Sequence, residues 1–302
     1  MSNSQRIDTA ECRTLSLVPS AMAAARASDD LPSNATALTA LRIADRFTLG
    51  DTWRLIQDGY KLGLEHGVYS VSLAPYDHHR AGICYSVRGV APDQRCAILN
   101  IDVENKITMG TTPAGVPSSL TITPTPASVH LRAPCRFARF AGSAVSTSDR
   151  AVACCQRPKW LAWRDLQCSL LTVSSWGQLR VDEELRPWRA STVRPWRTPV
   201  PLALVQLDFE RALACYYWTA DNGEDLGDGQ VVTCDELGVS RPEYWWPSLG
   251  GGSRLRIEGL DSGRNGFFAL APIGNGEAVG CYRNNGGTLS CRRIKSRQRA
   301  DD

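Results

Sequence analysis

The chain has 302 residues, of which 43% are hydrophobic and 22% charged, with a formal net charge of +3. This balance excludes a disordered or fibrous polypeptide, and no apolar run reaches the roughly 20 residues that a membrane helix requires. The length suits one large or two medium domains, each able to build a core without covalent staples.

The first residues, Met1 to Asp8, lack the apolar core of a secretion signal, so synthesis in the cytosol is expected. Residues 1–33 read as an arm, with a short helix around Ala21–Ala27 ended by Asp29, Asp30 and Pro32. From Asn34, Ala37, Leu38, Leu41 and Ala44 recur at helical spacing. Asp51 then offers an N-cap to a second helix, with Trp53, Leu55, Ile56, Tyr60 and Leu64 running to Gly67.

From Val68 the period changes to two. Residues 68–73, 83–87 and 96–103 read as strands, and a turn at Asn105-Lys106 leads into Ile107-Thr108-Met109. Residues 110–128, with Pro113, Pro117, Pro124 and Pro126, read as a loop or an edge strand. A strand is expected over 168–174. Residues 202–209 and 212–218 read as two strands, or as a strand and a short helix. Shorter strands follow at 255–257, 266–271, 278–283 and 288–291. The expected fold is therefore α+β and β-rich, a short N-terminal helical pair followed by an antiparallel sandwich or barrel. Its divisions are an arm (1–33), a globular domain (34–291) and a basic tail (292–302).

Charge is segregated along the chain. Residues 131–197 hold 12 basic and 5 acidic side chains, whereas residues 198–290 hold 6 and 12. Such blocks suit pairing within the chain or between copies of it. The basic block ends in a doubled unit, Arg186-Pro187-Trp188-Arg189 and Arg194-Pro195-Trp196-Arg197. Each proline fixes φ and removes a donor, so the unit reads as an extended ribbon along a surface. Its tryptophans either cover their own core or, with the arginines stacked on them, anchor a contact with a neighbour. The candidate interface is thus Arg186, Trp188, Arg189, Arg194, Trp196 and Arg197. Arg292, Arg293, Lys295, Arg297 and Arg299 form the one run suited to phosphate contact.

Eleven cysteines include a vicinal pair, Cys154-Cys155, and no Cys-x-x-Cys. Without a secretory signal, free buried thiols are expected. Cys281 and Cys291 would face each other across a hairpin and could oxidise outside the cell, but they too are expected as thiols.

Catalytic motifs are fragmentary. Asp77-His78-His79 resembles the triplet of the phosphoesterases named for it, but Ser253, not histidine, follows Gly250-Gly251-Gly252. A polar turn between strands is the simpler reading. Asp261-Ser262-Gly263 resembles the nucleophile segment of chymotrypsin-like proteases, with His78 or His79 and Asp102 in the corresponding order. Leu260 and Arg264 nevertheless stand where that family has glycine. Gly274-Asn275-Gly276 and the stretch from Asp221 to Asp228 read as turns, since neither meets its dinucleotide or calcium template. No metal or other cofactor is expected.

In its terminal arms and its Pro/Thr-rich loop the chain resembles capsid and capsid-surface proteins of non-enveloped viruses. That resemblance implies a non-enzymatic structural subunit, bound to copies of itself or to a shell protein and carried in the virion. Nucleic acid would be reached through the C-terminal tail. A hydrolase of either type above, or a nucleic-acid-binding module, is the alternative.

Overall fold

The computed structural model describes residues 11–18, 46–54, 68–87, 93–104, 106–124, 135–140, 149–158, 164–183, 186–190, 197–220, 231–240, 248–258, 268–284 and 286–295. Every regular element among them is a β-strand. Four antiparallel sheets are arranged as a four-bladed β-propeller.

Blade 1 runs β3 (Val68–Pro75), β4 (Arg80–Val87) and β5 (Asp93–Ile101). Its outer strand is split into β6 (Ile107–Met109) and β7 (Leu120–Pro124), both paired with β5. Blade 2 repeats that plan with β8 (Arg136–Arg139), β9 (Asp149–Pro158), β10 (Arg164–Val173) and the split pair β11 (Leu179–Val181) and β12 (Trp188–Ala190). Blade 3 has four whole strands, β13 (Arg197–Gln206), β14 (Arg211–Ala220), β15 (Val232–Ser240) and β16 (Ser248–Ile257). Blade 4 has β17 (Phe268–Gly274), β18 (Glu277–Arg283) and β19 (Leu289–Lys295). The first strands pack in series, β3 on β8, β8 on β13 and β13 on β17.

The expected helical pair is overturned where it is described. Glu11–Val18 and Arg46–Arg54 form an antiparallel ribbon, β1 and β2, and β2 crosses the junction of the two anticipated helices. Phe47, Leu49 and Trp53 all fit an alternation of period two, and Thr48 and Thr52 favour extension while Gly50 disfavours helix. Residues 34–45 and 55–67 lie outside the described residues.

The sandwich or barrel is corrected as well. A sandwich buries one face of each sheet, whereas residues 151–156 of β9 and 212–216 of β14 are buried without interruption. Both faces of an inner blade are covered because each blade stacks between two others. One core joins Cys84, Cys96 and Ile98 to Phe137 and Leu171 across blades 1 and 2. A second joins Leu166, Cys168 and Trp188 to Leu204 and Tyr216 across blades 2 and 3. A third joins Leu213 and Cys215 to Ala278, Tyr282 and Ile294 across blades 3 and 4.

The expectation of free thiols is also overturned. Ten cysteines form five disulfides, and the eleventh, Cys12, lies on β1. Four bonds occupy one repeated position: Cys84–Cys96, Cys154–Cys168, Cys215–Cys234 and Cys281–Cys291 join directly opposed residues of the second and third strands. Cys281 and Cys291 do face each other across a hairpin, but as a disulfide rather than the expected thiols. Each first cysteine ends a shared segment: Arg80-Ala81-Gly82-Ile83-Cys84, Arg150-Ala151-Val152-Ala153-Cys154, Arg211-Ala212-Leu213-Ala214-Cys215 and Glu277-Ala278-Val279-Gly280-Cys281. The next residue is Tyr85, Tyr216 or Tyr282, and in blade 2 it is Cys155, which bonds Cys135 instead. The blades are thus four diverged copies of one unit.

Candidate interaction surface

The first strand of every blade runs the same way along the propeller axis. The turns from first to second strand, and from third to fourth, therefore share one rim. In blade 1 the turn is Asp77-His78-His79. Asp77 Oδ1 accepts the His79 backbone N–H at 2.9 Å and Oδ2 accepts Arg80 Nε at 2.6 Å. Arg80 continues into blade 2, where its Nη2 donates to Asp149 Oδ2 at 2.6 Å. Blade 3 repeats the arrangement: Asp208 accepts the Glu210 N–H at 3.0 Å and Arg211 Nε at 2.7 Å, and Arg211 also pairs with Glu236 at 3.3 Å. In blade 4 the turn is Gly274-Asn275-Gly276, all at positive φ, and charge is inverted. Glu277 stands where the others have arginine and pairs with Arg293 and Lys295.

These contacts set the protonation of the rim. Burial raises the Asp77 carboxyl, but bonds from the His79 N–H and Arg80 outweigh it, and the net shift is downward. Glu277 is likewise lowered, desolvation being overcome by Arg293 and Lys295. Tyr76 lies beneath the guanidinium groups of Arg80 and Arg139, 4.8 and 5.6 Å from the ring centroid. Its phenol is pushed above the usual range by burial and by Asp149.

Above this ion-paired layer the turns expose apolar side chains. Val103 is 93% exposed, Phe209 73%, Trp176 59% and Ile273 51%. Val103, Trp176 and Phe209 stand on hydrogen-bonded turns, and Ile273 stands near the end of β17. Asp102 accepts the Glu104 and Lys106 N–H groups at 2.9 and 2.8 Å, holding Val103 outward. Ser174 Oγ accepts the Gln178 N–H at 3.0 Å, and the Thr111 N–H donates to the Trp176 carbonyl at 2.9 Å. A Cβ on Gly110 would come within 2.4 Å of the Gly177 carbonyl oxygen, so the Trp176 turn sits close against blade 1.

The residues singled out from sequence are dispersed. Trp188 is only 9% exposed and packs on Tyr216 with ring centroids 6.1 Å apart, so it belongs to its own core. Arg186 and Arg189 are exposed beside it. Arg197 begins β13, while Arg194 and Trp196 lie outside the described residues. Arg292, Arg293 and Lys295 fall within β19, the first 6.0 Å from the Tyr282 ring; Arg297 and Arg299 lie outside the description. His78 and His79 are exposed on the polar turn anticipated for them. No group of three or more metal-ligating side chains occurs among the described residues. Ser262 and the stretch from Asp221 to Asp228 lie outside them. Trp176 and Phe209 carry no sequence mark of exposure; only the Asp-x-x-Arg-Ala shared by the turns at Asp77 and Asp208 points to the setting of Phe209.

No protein-family model and no curated protein matches this chain.

Proposed function

We propose that the protein is a non-enzymatic subunit that self-associates through the rim formed by its turns, and that it works in an oxidising compartment. One observation carries this reading: Val103, Trp176 and Phe209 on hydrogen-bonded turns, with Ile273 at the end of β17, expose apolar side chains along one rim. Large exposed aromatic groups on ordered backbone lose little entropy on docking and commonly anchor interfaces. Five disulfides support the oxidising setting. The capsid-type assembly suggested by the arms and the Pro/Thr-rich loop is one form of this proposal. Sedimentation of the wild type and of the Trp176→Ser/Phe209→Ser variant, across concentration, tests it. Association in the wild type that is lost in a folded variant is expected. A wild type that stays monomeric throughout removes the reading.

A further inference from the structure

Blade 4 differs from the others at its outer edge. In blades 1, 2 and 3 the third strand pairs with a fourth, and the residue opposite the third-strand cysteine is large and apolar. Leu120 stands opposite Cys96, Trp188 opposite Cys168 and Leu255 opposite Cys234. Among the described residues β19 has no such neighbour. The equivalent positions differ accordingly. Cys96, Cys168 and Cys234 are each 0% exposed, whereas Cys291 is exposed. Two residues earlier, Gln94, Leu166 and Val232 are buried, while Leu289 is 66% exposed.

The backbone of β19 is also set for pairing. Cys281 and Cys291 are opposed at a Cα separation of 4.1 Å, the short spacing of a non-hydrogen-bonded antiparallel pair. By alternation, the N–H and C=O groups of Leu289, Cys291, Arg293 and Lys295 are directed away from β18, toward the open edge. The edge is cationic. Arg292, Arg293 and Lys295 lie along it, and Glu277 offsets only part of that charge. Two copies of β19 would therefore repel one another, whereas an acidic strand would be attracted.

We infer that blade 4 is completed in trans by an extended acidic segment of a partner protein. The segment adds antiparallel to β19 as a fourth strand, with a large apolar residue opposite Cys291 and carboxylates flanking it. Main-chain bonds along the edge supply affinity, and the place beside the Cys281–Cys291 disulfide, which no described strand fills, supplies selectivity. This edge adjoins the rim through the pairs of Arg293 and Lys295 with Glu277, but it involves none of the rim's exposed apolar residues.

The test uses the full oxidised chain and a blocked, fluorescent heptapeptide of alternating glutamate and threonine around a central leucine. Anisotropy should report saturable binding, and hydrogen exchange should slow at the Cys291 and Arg293 amides. Replacing the central leucine with serine should weaken binding several-fold. Arg293→Pro removes an outward N–H without removing a bond to β18, and should weaken binding by at least about tenfold. Arg293→Thr keeps the N–H and should cost less. Circular dichroism and the disulfide count verify that both variants fold. The proposal is overturned by absence of binding at millimolar peptide, or by Arg293→Pro binding like the wild type. It is equally overturned if the outward β19 amides are already protected in the free protein, whether by its own chain or by a second copy.

Discussion

Cys154 and Cys155 are adjacent in the chain yet point to opposite faces of β9, and they bond different partners. Cys154 reaches Cys168 on β10, facing blade 3, and Cys155 reaches Cys135 on the side of blade 1. The alternation of a strand places the two thiols on opposite faces of the sheet. Thiol titration of the denatured, unreduced protein should therefore leave ten of the eleven cysteines unreactive. Peptide mapping should find Cys135 linked to Cys155 and no bond between Cys154 and Cys155.

Each cross-strand disulfide closes a short loop, so its contribution is moderate and local. For Cys84–Cys96, with a sequence separation of 12, chain-entropy reasoning gives about 3 kcal/mol. The Cys84→Ala/Cys96→Ala variant should unfold in urea at a lower midpoint by about that free energy. A loss near zero would show that the blade is ordered without its staple.

Acid should loosen the rim. The Asp77 carboxyl has a folded pKa below its unfolded one, so its stabilisation is fully present above the unfolded value. It is lost as pH falls through the folded value. The sensitive window lies below about pH 4. Asp77→Asn should cost about 1 kcal/mol at neutral pH and flatten the acid limb of the stability profile. Parallel wild-type and variant profiles would count against the assigned ion pairs.

Trp188 and Phe209 make opposite predictions. Trp188 fills the core between blades 2 and 3, and Trp188→Ala should destabilise by about 3–5 kcal/mol. Phe209→Ser should leave the melting temperature nearly unchanged and reduce association. Scanning calorimetry paired with sedimentation separates the two effects.

Gly82 has a steric role. A Cβ there would lie 2.1 Å from the Phe137 ring, so Gly82→Ala should cost about 1–3 kcal/mol. Combining it with Phe137→Leu should recover part of the loss. An additive double variant would place the strain elsewhere.

Much of the β-structure was legible in the residues. Ile107–Met109 does form a strand, and Cys281 does stand opposite Cys291. Alternation betrays strands such as β18, whose faces differ in burial. It fails for β9, where Ala151 to Gln156 are buried on both faces and no period survives. The helical expectation failed because Trp53, read as part of a helical stripe, also alternates with Phe47 and Leu49, and pairing with β1 chose the longer rise. The four-fold repeat was masked by unequal loops: its cysteine pairs are 12, 14, 19 and 10 residues apart, and blade 2 replaces tyrosine with Cys155. Of the candidate interface, Trp188 could be assigned to the core only once Tyr216 was seen beside it. The exposure of Phe209 and Trp176 is a property of the assembled rim and has no local signature.

All five bonds lie inside single blades, between cysteines no more than 20 residues apart. During synthesis each pair emerges almost together, and oxidation need not wait for the C-terminus. The chain can therefore be locked segment by segment as it leaves the ribosome or translocon, with little opportunity for mispairing between distant cysteines. Once mature, it carries no disulfide between one blade and the next. A protease that cuts between blades would release separate oxidised fragments on denaturation, each retaining its own bonds.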